Sequence, residues 1–173
     1  MSKRIIYLLL LVLTVYSCKQ KHELLTGTWH GVKLENADID SFFVRSQHYI
    51  DTIGKSGDAT MNMSIYGVTN MDSLRGVLQA QYDTAKAMQM MAVTNTVFRF
   101  TADSMAILSF NGVKDTGRWY IDTANKLVLE DITPNGGGEK GNMEIITLTD
   151  DVLKLRFRED SNFSTVTFMR QGK

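Results

Sequence analysis

Cysteine and proline are almost absent from this chain of 173 residues, which contains one of each. A single cysteine cannot form a disulfide within the chain, so the folded state depends on packing rather than on covalent cross-links. A single proline likewise excludes a proline-rich linker between domains. The composition is otherwise ordinary for a globular protein, with 43% hydrophobic and 22% charged residues.

The chain also lacks an excess of positive charge, because 19 lysines and arginines face 19 aspartates and glutamates. Proteins that bind nucleic acid neutralise phosphates with a surplus of basic side chains. We therefore expect no nucleic-acid partner.

Motifs of catalysis and metal binding are missing too. The three histidines, His22, His30 and His48, show neither His-x-x-x-His nor Glu-x-x-His spacing, so we expect no zinc site. No Gly-x-Ser-x-Gly elbow occurs, and the glycine-rich segment 136–141 lacks the Gly-Lys-Ser/Thr ending of a phosphate loop. The sequence therefore predicts a protein that is not an enzyme and that carries no metal or cofactor.

The first eighteen residues form a distinct segment. A cationic start, Met1 to Arg4, precedes an apolar run from Ile5 to Tyr16, and Ser17 and Cys18 follow it. This order is typical of a secretory signal, and the run is too short for a bilayer core that needs roughly 20 residues. A single-span anchor and an ordinary signal peptide remain alternatives.

Because the segment ends on cysteine, it resembles the lipobox of bacterial lipoproteins. That resemblance implies removal of residues 1–17, acylation of Cys18 and a membrane tether, with residues 18–173 forming one mature domain. Residues 19–23 are polar and are predicted to be the tether.

Two hydrophobic periods divide the rest of the chain. Helical spacing runs through Ile39, Phe43 and Ile50, and again from Met71 to Met88, with Thr69 or Asn70 as a plausible N-cap. Residues 59–69 are predicted to be a short strand or an irregular connection. Period-two alternation predicts one strand before this helical block, which covers about residues 37–92, and seven after it. The predicted strands are 26–35, 97–100, 104–110, 116–122, 126–130, 142–149, 152–158 and 164–170.

Short turns between consecutive strands make sequential neighbours antiparallel. The predicted fold is therefore mostly β: an eight-stranded antiparallel up-and-down barrel with a helical insertion between strands 1 and 2.

Three short motifs carry a resemblance to the lipocalin-like superfamily, and in particular to lipocalin-like lipoproteins of Bacteroidota-type bacteria. They are Gly27-Thr28-Trp29, Gly117-Arg118-Trp119 and the final Phe168-Met169-Arg170. The resemblance implies that Trp29 closes one barrel end, that Arg170 covers its ring and that Gly27 permits the close approach. The insertion departs from the family pattern, and it is either a lid over the barrel mouth or plain structure packed on the barrel.

Large side chains at alternate strand positions are predicted to fill the barrel or to contact a ligand there. Met88 and Met91 of the insertion either fill its core or form an adaptable apolar surface that contacts a ligand. The predicted interior comprises Phe98, Phe100, Leu108, Phe110, Trp119, Ile121, Leu127, Leu129, Leu153, Leu155, Phe157, Val166 and Phe168.

The function expected from these features is non-enzymatic binding of a small hydrophobic ligand in or beside a membrane-anchored, lipocalin-like barrel. The alternative is a filled barrel that serves as a protein-interaction or assembly module of the cell envelope. The expected location is the outer membrane, facing the periplasm, because residues 19–23 lack the acidic pair that surface-exported lipoproteins tend to carry.

Overall fold

The computed structural model describes residues 21–55, 57–132, 138–159 and 162–172. The predicted signal segment, Cys18 and residues 134–137 of the glycine-rich loop lie outside these ranges. Within them, no helix has the length and hydropathy that crossing a membrane requires.

Eight strands form a closed barrel in which each strand from β1 to β8 pairs antiparallel with the next in sequence. This confirms the predicted barrel, and predicted and observed strand ends differ by at most three residues. The strands are β1 (Gly27–Asn36), β2 (Val97–Phe100), β3 (Met105–Phe110), β4 (Val113–Ile121), β5 (Lys126–Asp131), β6 (Lys140–Leu148), β7 (Val152–Glu159) and β8 (Asn162–Arg170).

Turn chemistry sets the register of the hairpins. Asn111 and Gly112, between β3 and β4, have φ of 49° and 85°, the pair of positive values that a type I′ turn requires. Between β4 and β5, Asn125 has a φ of 63°, and the Asp122 carboxylate accepts a hydrogen bond from the Lys126 amide at 2.8 Å. Asparagine tolerates this left-handed conformation better than most residues, so both turns follow from their sequence.

A helical block lies between β1 and β2 in sequence, as predicted. It comprises three helices, α1 (Ala37–Thr52), α2 (Ala59–Tyr66) and α3 (Met71–Thr94). Residues 36–91 form one compact unit, and the described parts of 21–35 and 92–172 form the other. Asn36 is the N-cap of α1, because its side-chain oxygen accepts from the amides of Asp38 and Ile39 at 3.0 and 3.1 Å.

The segment that α2 occupies was expected to be a strand or an irregular connection, and that expectation is wrong. Asp58 caps the helix by accepting a hydrogen bond from the Met61 amide at 2.8 Å. Gly67 ends it with a φ of 71°, a conformation that glycine adopts without steric cost. For α3 the predicted cap is confirmed, since the Asn70 side chain accepts from the Ser73 amide at 3.1 Å.

Side-chain contacts of α1 and of the residue that follows it with α3 hold the helical unit together. The rings of Phe43 and Tyr82 meet edge to face at 5.5 Å, and the side-chain amides of Gln47 and Gln79 are hydrogen-bonded at 3.1 Å. Arg75 donates to the Ile53 carbonyl at 2.8 and 3.1 Å. The buried apolar side chains of this unit are Ile50, Ile53 and Met71.

Candidate functional site

The barrel core contains most of the predicted interior. Eight of its residues are buried, namely Phe98, Phe100, Trp119, Leu127, Leu129, Leu153, Leu155 and Phe168, and Leu108, Ile121 and Val166 pack partly buried against them. Phe157 is half-buried. Phe110 is 46% exposed, and its ring meets the Phe98 ring edge to face with the centroids 5.6 Å apart. Sequence reasoning missed Leu25 and Ala106, because neither belongs to an obvious alternating run of large side chains.

The two ends of the barrel are built differently. We call the end that holds the turns after β2, β4 and β6 the closed end, and the opposite one the open end. At the closed end Trp29 is fully buried, and its indole nitrogen donates to the Leu25 carbonyl at 2.8 Å. A buried indole N–H needs such a partner, so this bond fixes the segment that precedes β1.

Arg170 covers the Trp29 ring, with its guanidinium carbon 4.3 Å from the ring centroid. Its donors go to backbone carbonyls: Thr26 at 2.7 Å, and also Leu24 and Asp150. The planar fork of donors suits this multiple contact, and the cation lies over the electron-rich face of the ring.

Gly27 makes that arrangement possible. Its φ of 145° is one that side chains rarely adopt, and a Cβ atom at this position would collide with the Arg170 guanidinium. A glycine is therefore required at this position for two independent reasons.

Trp119 is the second fully buried tryptophan of the closed end. Its indole nitrogen donates to the Thr101 carbonyl at 3.2 Å, and the Phe100 ring meets it edge to face at 5.5 Å. The His22 ring stacks on it with centroids 4.3 Å apart and an interplanar angle of 23°. Trp29 and Trp119, one from each Gly-x-Trp motif, thus lie at the same end of the core.

Residues 19 and 20 of the predicted tether lie outside the described residues, and residues 21–25 form a helical turn rather than a free tether. The His22 carbonyl accepts from the Thr26 hydroxyl at 2.9 Å, and the Lys21 ammonium donates to the Asn125 side chain at 2.6 Å. The turn folds back because Leu25 is fully buried in the core and His22 stacks on an indole face. Polarity of the individual residues gave no sign of these contacts.

A polar groove of about 530 Å³ lies at the closed end. Arg170 lines it, and each of its three guanidinium nitrogens already donates to a backbone carbonyl. The groove therefore offers mainly carboxylates and backbone groups to solvent. Its lining is Glu23, Leu24, Thr26, Asp150, Asp151, Arg170, Gln171 and Gly172.

Towards the open end the inner wall carries small residues. Ala106 pairs with Gly117, and Leu129 pairs with Gly141, so these four positions share the inward face of β3 to β6. Gly117 packs closely on β5, since a Cβ atom there would lie 2.6 Å from the Glu130 carbonyl oxygen. Because Ala106 and Gly141 fill little space, a pocket of about 310 Å³ remains, with Leu108 and Leu129 as its larger apolar walls. A Cβ atom on Gly141 would meet no atom within 4 Å, so the pocket is open beside it.

Acidic side chains dominate the rim of this pocket. Asp115, Asp131 and Glu139 line it, together with Glu130 and a single cationic group, Lys140. The Lys140 ammonium lies 3.4 Å from the Glu130 carboxylate. The hydrogen bond to Glu130 and the negative charge of that carboxylate raise the pKa of Lys140 above its ordinary value, and the neighbouring Tyr120 adds a smaller effect in the same direction.

The two methionines singled out from the helical block lie on its surface. Met88 is 66% exposed and Met91 is 58% exposed, so neither fills a core. They belong to a wider set of exposed apolar side chains of the helical unit, comprising Phe42, Val44, Tyr49, Met61, Met63, Ile65, Val77, Met88, Met90 and Met91.

Glu35, near the end of β1, bridges two ammonium groups. Lys154 lies 2.8 Å from one carboxylate oxygen and Lys33 lies 2.7 Å from the other. These hydrogen bonds, with that of Lys154 the larger, lower the pKa of Glu35 from 4.5 to about 2. The Glu35–Lys154 ion pair thus connects β1 to β7, while Lys33 binds the same carboxylate from within β1.

This shift predicts a specific acid sensitivity. A carboxylate whose pKa is lowered by folding stabilises the folded state above its unfolded pKa and loses that contribution as it is protonated. Wild type is therefore expected to exceed Glu35→Gln in urea midpoint at pH 6, with the difference shrinking between pH 4.5 and about 2. In a Lys154→Met background the effect of Glu35→Gln should be smaller at pH 6. If the difference in urea midpoint between wild type and Glu35→Gln were the same at pH 6 and pH 2, the lowered pKa of Glu35 would be contradicted.

Metal ligands do not converge in the part of the chain that the structure describes. No group of three or more histidine, cysteine, aspartate or glutamate side chains there could hold a metal ion. His22 covers Trp119, and His30 lies 3.4 Å from the Gln171 side chain on the barrel surface.

No family model and no curated protein matches the chain. Among solved structures, the chain is similar to a crystal structure of a DUF4847 family protein from Bacteroides vulgatus ATCC 8482. The two chains are 14% identical, with a TM-score of 0.43, over 87% of this chain and 96% of that chain.

Proposed function

We propose that this chain is an exported lipoprotein, anchored in the outer membrane through acylated Cys18 and facing the periplasm, that binds a small apolar ligand in its lipocalin-like barrel without chemical conversion. The signal-like segment ending at Cys18 supports the anchoring. The ligand site is the 310 Å³ pocket towards the open end.

The observation that carries the binding proposal is the uneven filling of the barrel. At the closed end two tryptophans and their aromatic neighbours exclude any ligand. Towards the open end the inward positions Ala106 and Gly141 are small, and a larger side chain at Gly141 would enter open space. A volume of 310 Å³ is at the lower end of the range for small-molecule sites, so the ligand is small.

The rim defines the chemical class of that ligand. Four carboxylates and one lysine line the pocket, and the lysine is paired with Glu130. A fatty acid or another anionic amphiphile would bring a negative charge next to Asp115 and Glu139, which is unfavourable. A neutral or cationic apolar compound fits the pocket better.

Filling the pocket tests the proposal. Gly141→Leu places a side chain into the open space beside Leu129, at a position without positive φ. We expect the affinity for a neutral fluorescent probe such as N-phenyl-1-naphthylamine to fall by about tenfold or more, equivalent to 1.4 kcal/mol. Gly76→Leu, the same change at an open glycine of α3, is the matched control and should bind as wild type does.

If Gly141→Leu is folded by circular dichroism and binds the probe as tightly as wild type does, the pocket is not the ligand site. Native mass spectrometry of residues 19–173, purified without detergent, complements this test. A bound mass that denaturation releases, and that Gly141→Leu lacks, would give the ligand class.

A second candidate function, an interaction module of the cell envelope, is favoured by the exposed apolar side chains of the helical unit. Large exposed apolar patches commonly mark protein interaction sites. The same probe separates the two functions. If Met88→Ser with Met91→Ser abolishes probe binding while Gly141→Leu does not, the helical surface rather than the barrel is the functional site.

A further inference from the structure

The start of the described chain is fixed to the closed end of the barrel by several independent contacts. The Leu25 side chain is buried in the core, and its carbonyl is bonded to Trp29. The His22 ring stacks on Trp119, and the Lys21 ammonium reaches Asn125 in the turn between β4 and β5. The chain therefore has no freedom to carry its N-terminal side away from this end without breaking core contacts.

Covalent geometry then limits the distance from Cys18. Three residue steps separate Cys18 from Lys21, and each spans at most about 3.6 Å, so the two Cα atoms are at most about 11 Å apart. A lipid on Cys18 must insert in the bilayer, so the closed end lies close to the membrane surface.

We propose that the barrel stands on the membrane with its closed end against the lipid headgroups and its open end, with the pocket, turned away from the bilayer. The inference rests on the proposed anchoring through Cys18 and adds an orientation to it. β4 has nine residues, about 30 Å at 3.3 Å each, and a strand tilt of about 40° leaves about 23 Å along the barrel axis. Asp115 on the pocket rim is six residues from the closed end of β4, so the rim lies about 15 Å farther from the lipid than the turns of the closed end.

The surface of the closed end fits a polar headgroup layer. Within the described residues, the turns after β2, β4 and β6 expose no large apolar side chain that would insert into the acyl region. They present small or polar groups, among them Ala102, Asp103, Thr123, Ala124, Asn125, Asp150 and Asp151. This end therefore rests on the bilayer rather than entering it.

Fluorescence quenching by lipid-bound nitroxides tests the orientation. The acylated full chain has no free thiol, so one introduced cysteine accepts one label. Ala124→Cys places the label at the closed end, and Lys114→Cys places it at the start of β4, at the open end; both positions are exposed. In phosphatidylcholine vesicles that contain a headgroup-nitroxide lipid, we expect severalfold stronger quenching of the Ala124→Cys label.

A lengthened tether is the matched control. Inserting twelve glycine and serine residues after Lys19 gives a segment with an r.m.s. length of about 17–21 Å, comparable with the length of the barrel axis, so the difference between the labels should largely disappear. Equal or reversed quenching with the native tether would overturn the orientation.

Intact mass spectrometry of the same samples separates the two proposals. If Cys18 is acylated and the labels are quenched equally, the anchoring stands and the orientation is wrong. If Cys18 carries no acyl group, the anchoring is wrong and the orientation falls with it.

Discussion

Replacing Trp29 with alanine is expected to lower the free energy of unfolding by about 3–5 kcal/mol, the usual cost of removing a large buried aromatic side chain. Trp29 is fully buried, and its indole nitrogen holds the Leu25 carbonyl. The variant would also leave the Arg170 guanidinium without the ring that it covers. Urea unfolding followed by circular dichroism measures the effect.

Phe163→Ala is the control for this variant, because it removes an aromatic side chain of β8 that is largely exposed. Phe163 is 59% exposed and makes a cation–π contact with Arg156 at 5.4 Å, so its loss should cost less than about 1 kcal/mol. Similar costs for the two variants would show that Trp29 does not close the barrel end.

Replacing Cys18 with alanine is expected to move the protein from the membrane fraction to the soluble fraction. Acyl chains contribute about 0.8 kcal/mol for each buried CH₂ group, and stable anchoring generally needs two such signals. If the acyl groups on Cys18 provide the anchor, the variant has none. Fractionation of cell envelopes, with detection of the protein in each fraction, measures the change.

Ser17→Ala is the matched control, since it changes a neighbouring small residue for another and leaves the cysteine in place. It should remain with the membrane. Unchanged membrane association of Cys18→Ala would favour the alternative in which residues 5–16 act as a single-span anchor.

Strand positions were accessible from the sequence because each depends on local information. Alternation of large apolar and polar residues marks the two faces of a strand, and Asn111-Gly112 favours a tight turn regardless of its surroundings. The helical block was recognised in the same way, from its change of period. Only α2 was missed, since its eight residues show little amphipathic pattern and its limits depend on Asp58 and Gly67.

The candidate site was less accessible. The pocket exists because the small residues Ala106 on β3 and Gly141 on β6 share the inward face with Leu129. Small residues give no signal in a periodic pattern, and their common face becomes visible only when the register of four strands is known. The docking of His22 on Trp119 depends on a contact across 97 positions of the chain, which no local pattern encodes.

The sequence by itself therefore determined the order of strands and helices, the turns and the signal-like segment, because these depend on neighbouring residues. Only the tertiary structure decided how far the barrel is filled and where its N-terminal segment docks. Both depend on residues that are distant in sequence and close in the barrel. Large side chains, among them Trp29 and Trp119, fill the closed end, whereas Ala106 and Gly141 leave space towards the open end.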